Sequence, residues 1–106
     1  MIDKKLRFVI VLNSNTASRK KLSLINKVIS YLQSSHDVEL FKTQNEQDAK
    51  EVFKKLSVKK FDRLVVAGGD GSVCFAINQI IDDLNFKDKL LGYIPTGTTN
   101  ILQIET

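Results

Sequence analysis

The chain has a single cysteine, Cys74, which leaves it no partner for an internal disulfide. The clustered Cys and His spacing of a structural zinc site is missing too, and a reducing, cytoplasmic setting suits such sparse cysteine use. No apolar stretch approaches the ~20 residues that a membrane-spanning helix requires. Residues 1–12 carry Asp3, Lys4, Lys5 and Arg7 ahead of a short apolar run, with no small-residue cleavage site behind it, so they do not read as a signal peptide. Internal repeats, low-complexity tracts and linkers are absent. With 106 residues, 42% of them hydrophobic, the chain is long enough for one ordinary core and too short for two domains, so residues 1–106 are read as one domain of modest stability.

The net charge is +4, with basic clusters at Lys4 and Lys5, Arg19 to Lys21, Lys54 and Lys55, and Lys59 and Lys60. Such clusters read first as solvated helix ends; the functional alternative is attraction to anionic lipid heads or nucleotide phosphates. Aromatic residues do not interleave them as a stacking platform for single-stranded nucleic acid would need, which ranks nucleic acid low.

Two short, nearly continuous apolar runs, residues 6–12 and 62–67, each followed by turn formers, read as strands buried on two faces. Residues 37–43 alternate at their start, as a strand nearer an edge does. Residues 90–94, closed by Pro95, make a fourth strand. Between the strands the period lengthens: Leu22, Ile25, Ile29 and Leu32, then Ala49, Val52, Phe53 and Leu56, then Val73, Ile77, Ile80, Ile81 and Leu84 recur at helical spacing. Asn45 with Asp48 three residues on reads as the cap of the second helix. Alternating strands and helices imply right-handed crossovers and an α/β fold, an open, mostly parallel Rossmann-like sheet with helices on both faces. The expected strand order is 2-1-3-4, which sets the ends of strands one and three together where the winding reverses and where open sheets bind ligands.

Residues 67–72 (AGGDGS) lie where a buried strand ends and a helix begins. Their glycines permit positive φ and close backbone approach, and the helix start supplies amide donors and the positive end of a macrodipole, a combination suited to phosphate. Read alone, the run is equally a tight turn with a capping Asp. It is not the dinucleotide fingerprint, since Cys74 stands beyond Gly69 and Gly71, and the lysine-bearing phosphate loop is missing. After the fourth strand comes Pro95, Thr96, Gly97, Thr98, Thr99 and Asn100, either a helix cap or part of a site, and after the first comes a polar turn over residues 13–18. Three such loops should meet at one edge of the sheet. His36 is read as a surface residue in a turn, Cys74 as a packed side chain, and Arg19 as solvent-facing.

Taken in order, Asn13 at the end of the first strand, Thr43 at the end of the second, Gly68-Gly69-Asp70-Gly71-Ser72 and the segment from Pro95 to Asn100 resemble the N-terminal catalytic domain of the diacylglycerol kinase, sphingosine kinase and bacterial lipid kinase family. That family shares its Gly-Gly-Asp-Gly motif with NAD kinases and, more distantly, 6-phosphofructokinases. The resemblance spans nearly the whole chain; where such families commonly carry Asn-Pro-x-Ser-Gly after the first strand, Ser14, Thr16 and Ala17 stand in place of the Pro, Ser and Gly. It implies ATP-dependent phosphorylation of a diacylglycerol-like lipid hydroxyl, with ATP and magnesium as cofactors. Gly68, Gly69, Gly71 and Ser72 would cradle the phosphates, Asn13, Thr16 and Thr43 would line the pocket, and Gly97, Thr98 and Asn100 would face the phosphates or the acceptor. Asp70 takes the catalytic or metal-organising role, the choice between them open, because a bare carboxylate 4 Å from a phosphate charge is repelled by about 4 kcal/mol at an effective dielectric near 20.

The acceptor is expected to be recognised by a second, β-rich domain after this one and at a membrane surface, so the chain by itself is expected to bind nucleotide without phosphorylating lipid. The resemblance leaves room for peripheral contact at the inner membrane face. The alternatives are transfer to a soluble acceptor, as in NAD kinase, and a non-catalytic nucleotide-binding module. The ending of the chain within the first turns of a helix favours the module.

Overall fold

The computed structural model describes residues 5–13 and 19–95. Its elements are β1 (Arg7–Asn13), α1 (Arg19–Gln33), β2 (Asp37–Thr43), α2 (Glu46–Ser57), β3 (Arg63–Gly68), α3 (Asp70–Ile80), a 3-10 turn (Leu84–Phe86) and β4 (Leu90–Pro95). The four strands form one parallel sheet in the order β2-β1-β3-β4, the expected arrangement.

Alternation along the central strands builds two cores. Val9 and Val11 of β1 and Leu64 and Val66 of β3 face α2 and α3, packing on Phe53, Leu56, Val73, Ala76 and Ile80. Their neighbours Phe8, Ile10, Leu12, Val65 and Ala67 face the other way, toward Leu22, Ile25, Ile29 and Leu32 of α1. The sheet is thus sandwiched between α1 on one side and α2 with α3 on the other. Leu56 and Leu64 are fully buried, and each such side chain removed from water contributes about 1.5–3 kcal/mol. At the start of α2, Asn45 Oδ1 accepts the Asp48 amide at 2.8 Å and Asp48 Oδ2 accepts the Gln44 amide at 3.0 Å, so the expected cap is present with a reciprocal bond.

Three expectations are corrected. The third helix stops at Ile80 rather than running to Leu84. Asp83 caps the 3-10 turn instead, its Oδ1 accepting the Asn85 amide at 2.9 Å. Phe86 then enters the core beside Phe53 and Phe61, leaving Ile81 and Leu84 in solvent, 68% and 85% exposed. Cys74 is exposed, because α3 turns Val73, Ala76 and Ile80 inward and position 74 falls outside that stripe. His36 is half-buried: its Nδ1 accepts the Leu6 amide at 3.1 Å and its ring lies 5.1 Å from that of Phe8. It pins the start of β1 to the turn before β2, at the edge of the sheet remote from the glycine motif.

Candidate functional site

Parallel pairing brings all strand ends to one edge. Asn13 of β1 is in register with Thr43 of β2, Leu12 with Ala67, and Gly68 of β3 with Pro95 of β4. Side chains alternate with period two, so Asn13 shares the face of Val9 and Val11, and Gly68 that of Leu64 and Val66. Both therefore present to the α2 and α3 side of the sheet. Thr43, only 3% exposed, donates its hydroxyl to the Leu12 carbonyl at 3.4 Å. Asn13 Nδ2 donates to Ser72 Oγ, tying the end of β1 to the first turn of α3.

The glycine motif divides by function. A Cβ built on Gly68 would lie 2.8 Å from Ser72 Cβ, 3.3 Å from Ser72 Oγ and 3.4 Å from Asn13 Cβ, so this glycine lets α3 start hard against the strand ends. Among the described residues, nothing lies within 4 Å of a Cβ built on Gly69 or Gly71. Gly69 is the N-cap of α3, extended at φ −78° and ψ 179°, its carbonyl accepting the Val73 amide at 3.0 Å. It offers no side chain to the first-turn amides, and Asp70 follows as the first helical residue, so the capping-Asp reading does not hold. The expected positive φ is likewise corrected: no glycine among the described residues adopts it, because the strand enters the helix through extended backbone. What the motif supplies at Gly69 and Gly71 is the missing Cβ.

Beside this corner a cleft of about 290 Å³ runs between α2 and α3. Its polar lining is Asn13, Thr43, Asn45, Glu46, Gly71 and Ser72. Its apolar lining is Val11, Ala49, Phe53, Val66, Phe75 and Ala76, with Ala67 at the sheet end. Helix amides that Gly69 leaves without a side-chain cap at one end, and an apolar floor at the other, suit a ligand that is anionic at one end and flat and weakly polar at the other.

Of the residues singled out in the sequence, Asn13, Thr43, Gly71 and Ser72 come together in this cleft, and Gly68 and Gly69 form the corner that opens into it. Thr16, Gly97, Thr98 and Asn100, with the rest of the loops over 14–18 and 96–100, lie outside the described residues. Sequence reading missed Glu46 and Phe75, and assigned Asn45 only a capping role and Ala49 and Phe53 only a core role. The position of Asn45 and Glu46, directly after the strand that Thr43 ends, was the available signal. For Phe75, off the apolar stripe of α3, there was none. Among the described residues no group of three or more His, Cys, Asp or Glu is placed to hold a metal, and no helix is long and apolar enough to cross a membrane.

The model of the diacylglycerol kinase catalytic domain matches residues 7–105. The chain is 32% identical over 82 residues to a diacylglycerol kinase of Bacillus subtilis, covering 76% of the chain and 26% of that protein. It is 31% identical over 100 residues to a putative lipid kinase of Streptococcus pneumoniae, covering 89% of the chain and 32% of the relative. A mitochondrial acylglycerol kinase of Xenopus laevis is 36% identical over 69 residues, or 62% of the chain and 16% of that protein. The chain thus spans at most about a third of the curated relatives it matches. A four-stranded parallel sheet in 2-1-3-4 order, with a glycine corner at its carboxyl edge and a family match over nearly all its length, makes this chain a member of the diacylglycerol kinase catalytic domain family.

Proposed function

We propose that the chain forms the nucleotide-binding half of a kinase site that transfers the terminal phosphoryl group of ATP to a lipid hydroxyl of diacylglycerol type. The observation that carries this reading is the corner at Gly69 and Gly71, where α3 starts without a side-chain cap from Gly69 and, among the described residues, nothing lies within 4 Å of a Cβ built on either glycine, beside the bond from Asn13 to Ser72. Nucleotide phosphates fit there. The positive end of α3 stabilises such an anion by about 0.3–1 kcal/mol, and by up to ~2 kcal/mol where the geometry is partly buried. The base then lies over Val11, Val66 and Phe75, within reach of Asn45 and of the Glu46 carboxylate, which can only accept hydrogen bonds and so favours an amino-bearing base.

Asp70 opens α3 at the phosphate end. Its carboxylate is the group in this motif able to take the proton of the acceptor hydroxyl as that oxygen bonds to the γ-phosphorus and the bond to the β-phosphate oxygen breaks, with ADP leaving. Ser72 and Asn13 hold the first turn of α3 in position against β1, fixing the donors to which the phosphates must align. In the other role open to it, the Asp70 carboxylate would hold magnesium together with the phosphates, and the ion would neutralise charge on the transferring group.

Isothermal titration of the chain with Mg-ATP and with ADP tests the nucleotide assignment. One saturable site for both, lost in Gly71→Val while that variant keeps its cooperative unfolding, is the expected result; unchanged affinity in the folded variant refutes it. Transfer of labelled γ-phosphate to diacylglycerol in mixed micelles by a longer protein that carries this domain, measured against its transfer to NAD in solution, decides between a lipid and a soluble acceptor.

A further inference from the structure

Helix α1 packs against the sheet through Leu22, Ile25, Ile29 and Leu32. Its opposite side is unusual in two independent ways. Residues 20, 24, 27 and 31 are spaced i, i+4, i+7 and i+11, so they fall within an arc of about 60°. That stripe reads Lys20, Leu24, Lys27 and Tyr31, all exposed; Leu24 is 47% and Tyr31 79% exposed. A shallow surface groove is lined by Lys20, Lys21, Ser23, Leu24 and Lys27.

Charge is the second peculiarity. Across its 15 residues α1 carries Arg19, Lys20, Lys21 and Lys27 and no Asp or Glu. The chain has 16 basic and 12 acidic residues, so everything outside α1 is balanced and the whole net charge of +4 resides on this helix. A solvated helix ordinarily mixes both signs along its exposed face. Here lysines alternate with a leucine and a tyrosine, and uncharged Ser23, Asn26 and Ser30 flank them.

We infer that the outer stripe of α1 is a docking surface for an anionic lipid bilayer, with Leu24 and Tyr31 entering the headgroup region and Lys20 and Lys27 pairing with lipid phosphates and carboxylates. The stripe has the chemistry of an interfacial helix face, apolar and aromatic anchors flanked by cations. Because α1 follows β1 in a parallel sheet, its amino end lies at the edge where Asn13 and Gly68 end their strands. A bilayer along α1 therefore runs up to that edge, a placement that deepens, and rests on, the lipid-kinase reading.

The experiment is co-sedimentation of the full chain, without nucleotide, with phosphatidylcholine vesicles prepared with and without phosphatidylserine. Binding to the phosphatidylserine vesicles alone is expected. Each lysine near such a surface contributes about fivefold in partition coefficient, so Lys20→Gln with Lys27→Gln should lose on the order of 25-fold, more steeply at low salt. Leu24→Ser with Tyr31→Ser, changes at exposed positions, should weaken binding with charge untouched, and both pairs should keep the parent unfolding temperature. Lys54→Gln with Lys87→Gln, equal in charge and distant on α2 and the loop before β4, should lose far less. No binding to phosphatidylserine vesicles, equal loss in the distant pair, or preferential retention on single-stranded DNA through the same lysines overturns the inference. Nucleotide titration, which uses no lipid, reports separately on the kinase reading.

Discussion

Replacing Gly68 or Gly71 by alanine should have opposite consequences, and the contrast follows from the surroundings of each residue. At Gly68 the new methyl would meet Ser72 Cβ at 2.8 Å, an atom fixed to the helix backbone that cannot swing aside. The first turn of α3 must back away from β3, stretching the bond from Asn13 to Ser72. Overpacking of this kind costs about 1–3 kcal/mol. The lower backbone entropy of unfolded alanine returns about 0.4–1 kcal/mol, since this position needs no positive φ. The net loss, about 0–2.6 kcal/mol and centred near ~1.3 kcal/mol, corresponds at its centre to roughly 5–10 °C in Tm for a domain of this size. Among the described residues a methyl at Gly71 meets nothing within 4 Å, and it sits inside a helix, where alanine is favoured over glycine by up to about 1 kcal/mol. Gly71→Ala should therefore unfold at or above the parent Tm while binding nucleotide more weakly, because the methyl enters the space assigned to phosphate. Circular dichroism melts beside calorimetric titration with ADP measure both quantities. Equal destabilisation by the two substitutions, or a Gly71→Ala protein that is more stable and binds unchanged, would refute the reasoning.

Asn45→Ala removes the cap of α2 and one wall of the cleft, so it should cost about 1 kcal/mol in denaturant unfolding and also weaken ADP binding. Ser72→Ala severs the tie to Asn13 and should destabilise by about 1 kcal/mol on the same measurement. Asp70→Asn should leave fold and nucleotide affinity nearly unchanged and, in a longer protein that carries this domain, sharply lower phosphoryl transfer, read by labelled phosphate in the lipid phase. Cys74, exposed on α3, should titrate with a thiol reagent in the native protein, and Cys74→Ser should change stability by less than about 0.5 kcal/mol.

The strand order was legible because two doubly buried runs had to be central, and a strand with polar alternation had to lie outside them. That Asn13, Thr43 and Gly68 end their strands at one edge was legible for the same reason, since parallel strands can only gather their carboxyl ends on one side. Leu84 was misplaced because it continues the helical period of Val73, Ile77 and Ile80, and periodicity cannot register that Asp83 caps a new turn and that Phe86 fills the core. Cys74 was misjudged as packed because residue type outweighed helical phase. Freedom to adopt positive φ puts these glycines in one group, whereas the contacts separate Gly68, needed for packing, from Gly69 and Gly71, which have no described neighbour within 4 Å of a built Cβ. Phe75 and Glu46 join the cleft only once α2 and α3 lie side by side, a relation between distant segments that no local pattern records.

The most direct test of nucleotide binding at the carboxyl edge of the sheet is the map of amide chemical-shift changes on titrating Mg-ADP into the isotope-labelled chain. The amides of Asn13, Gly69, Gly71 and Ser72 and those lining the cleft at Thr43, Asn45 and Phe75 should shift together and saturate with one dissociation constant. Shifts gathered instead around Arg7, Asp37 and Lys60 at the opposite edge, or none at millimolar nucleotide, would contradict the account.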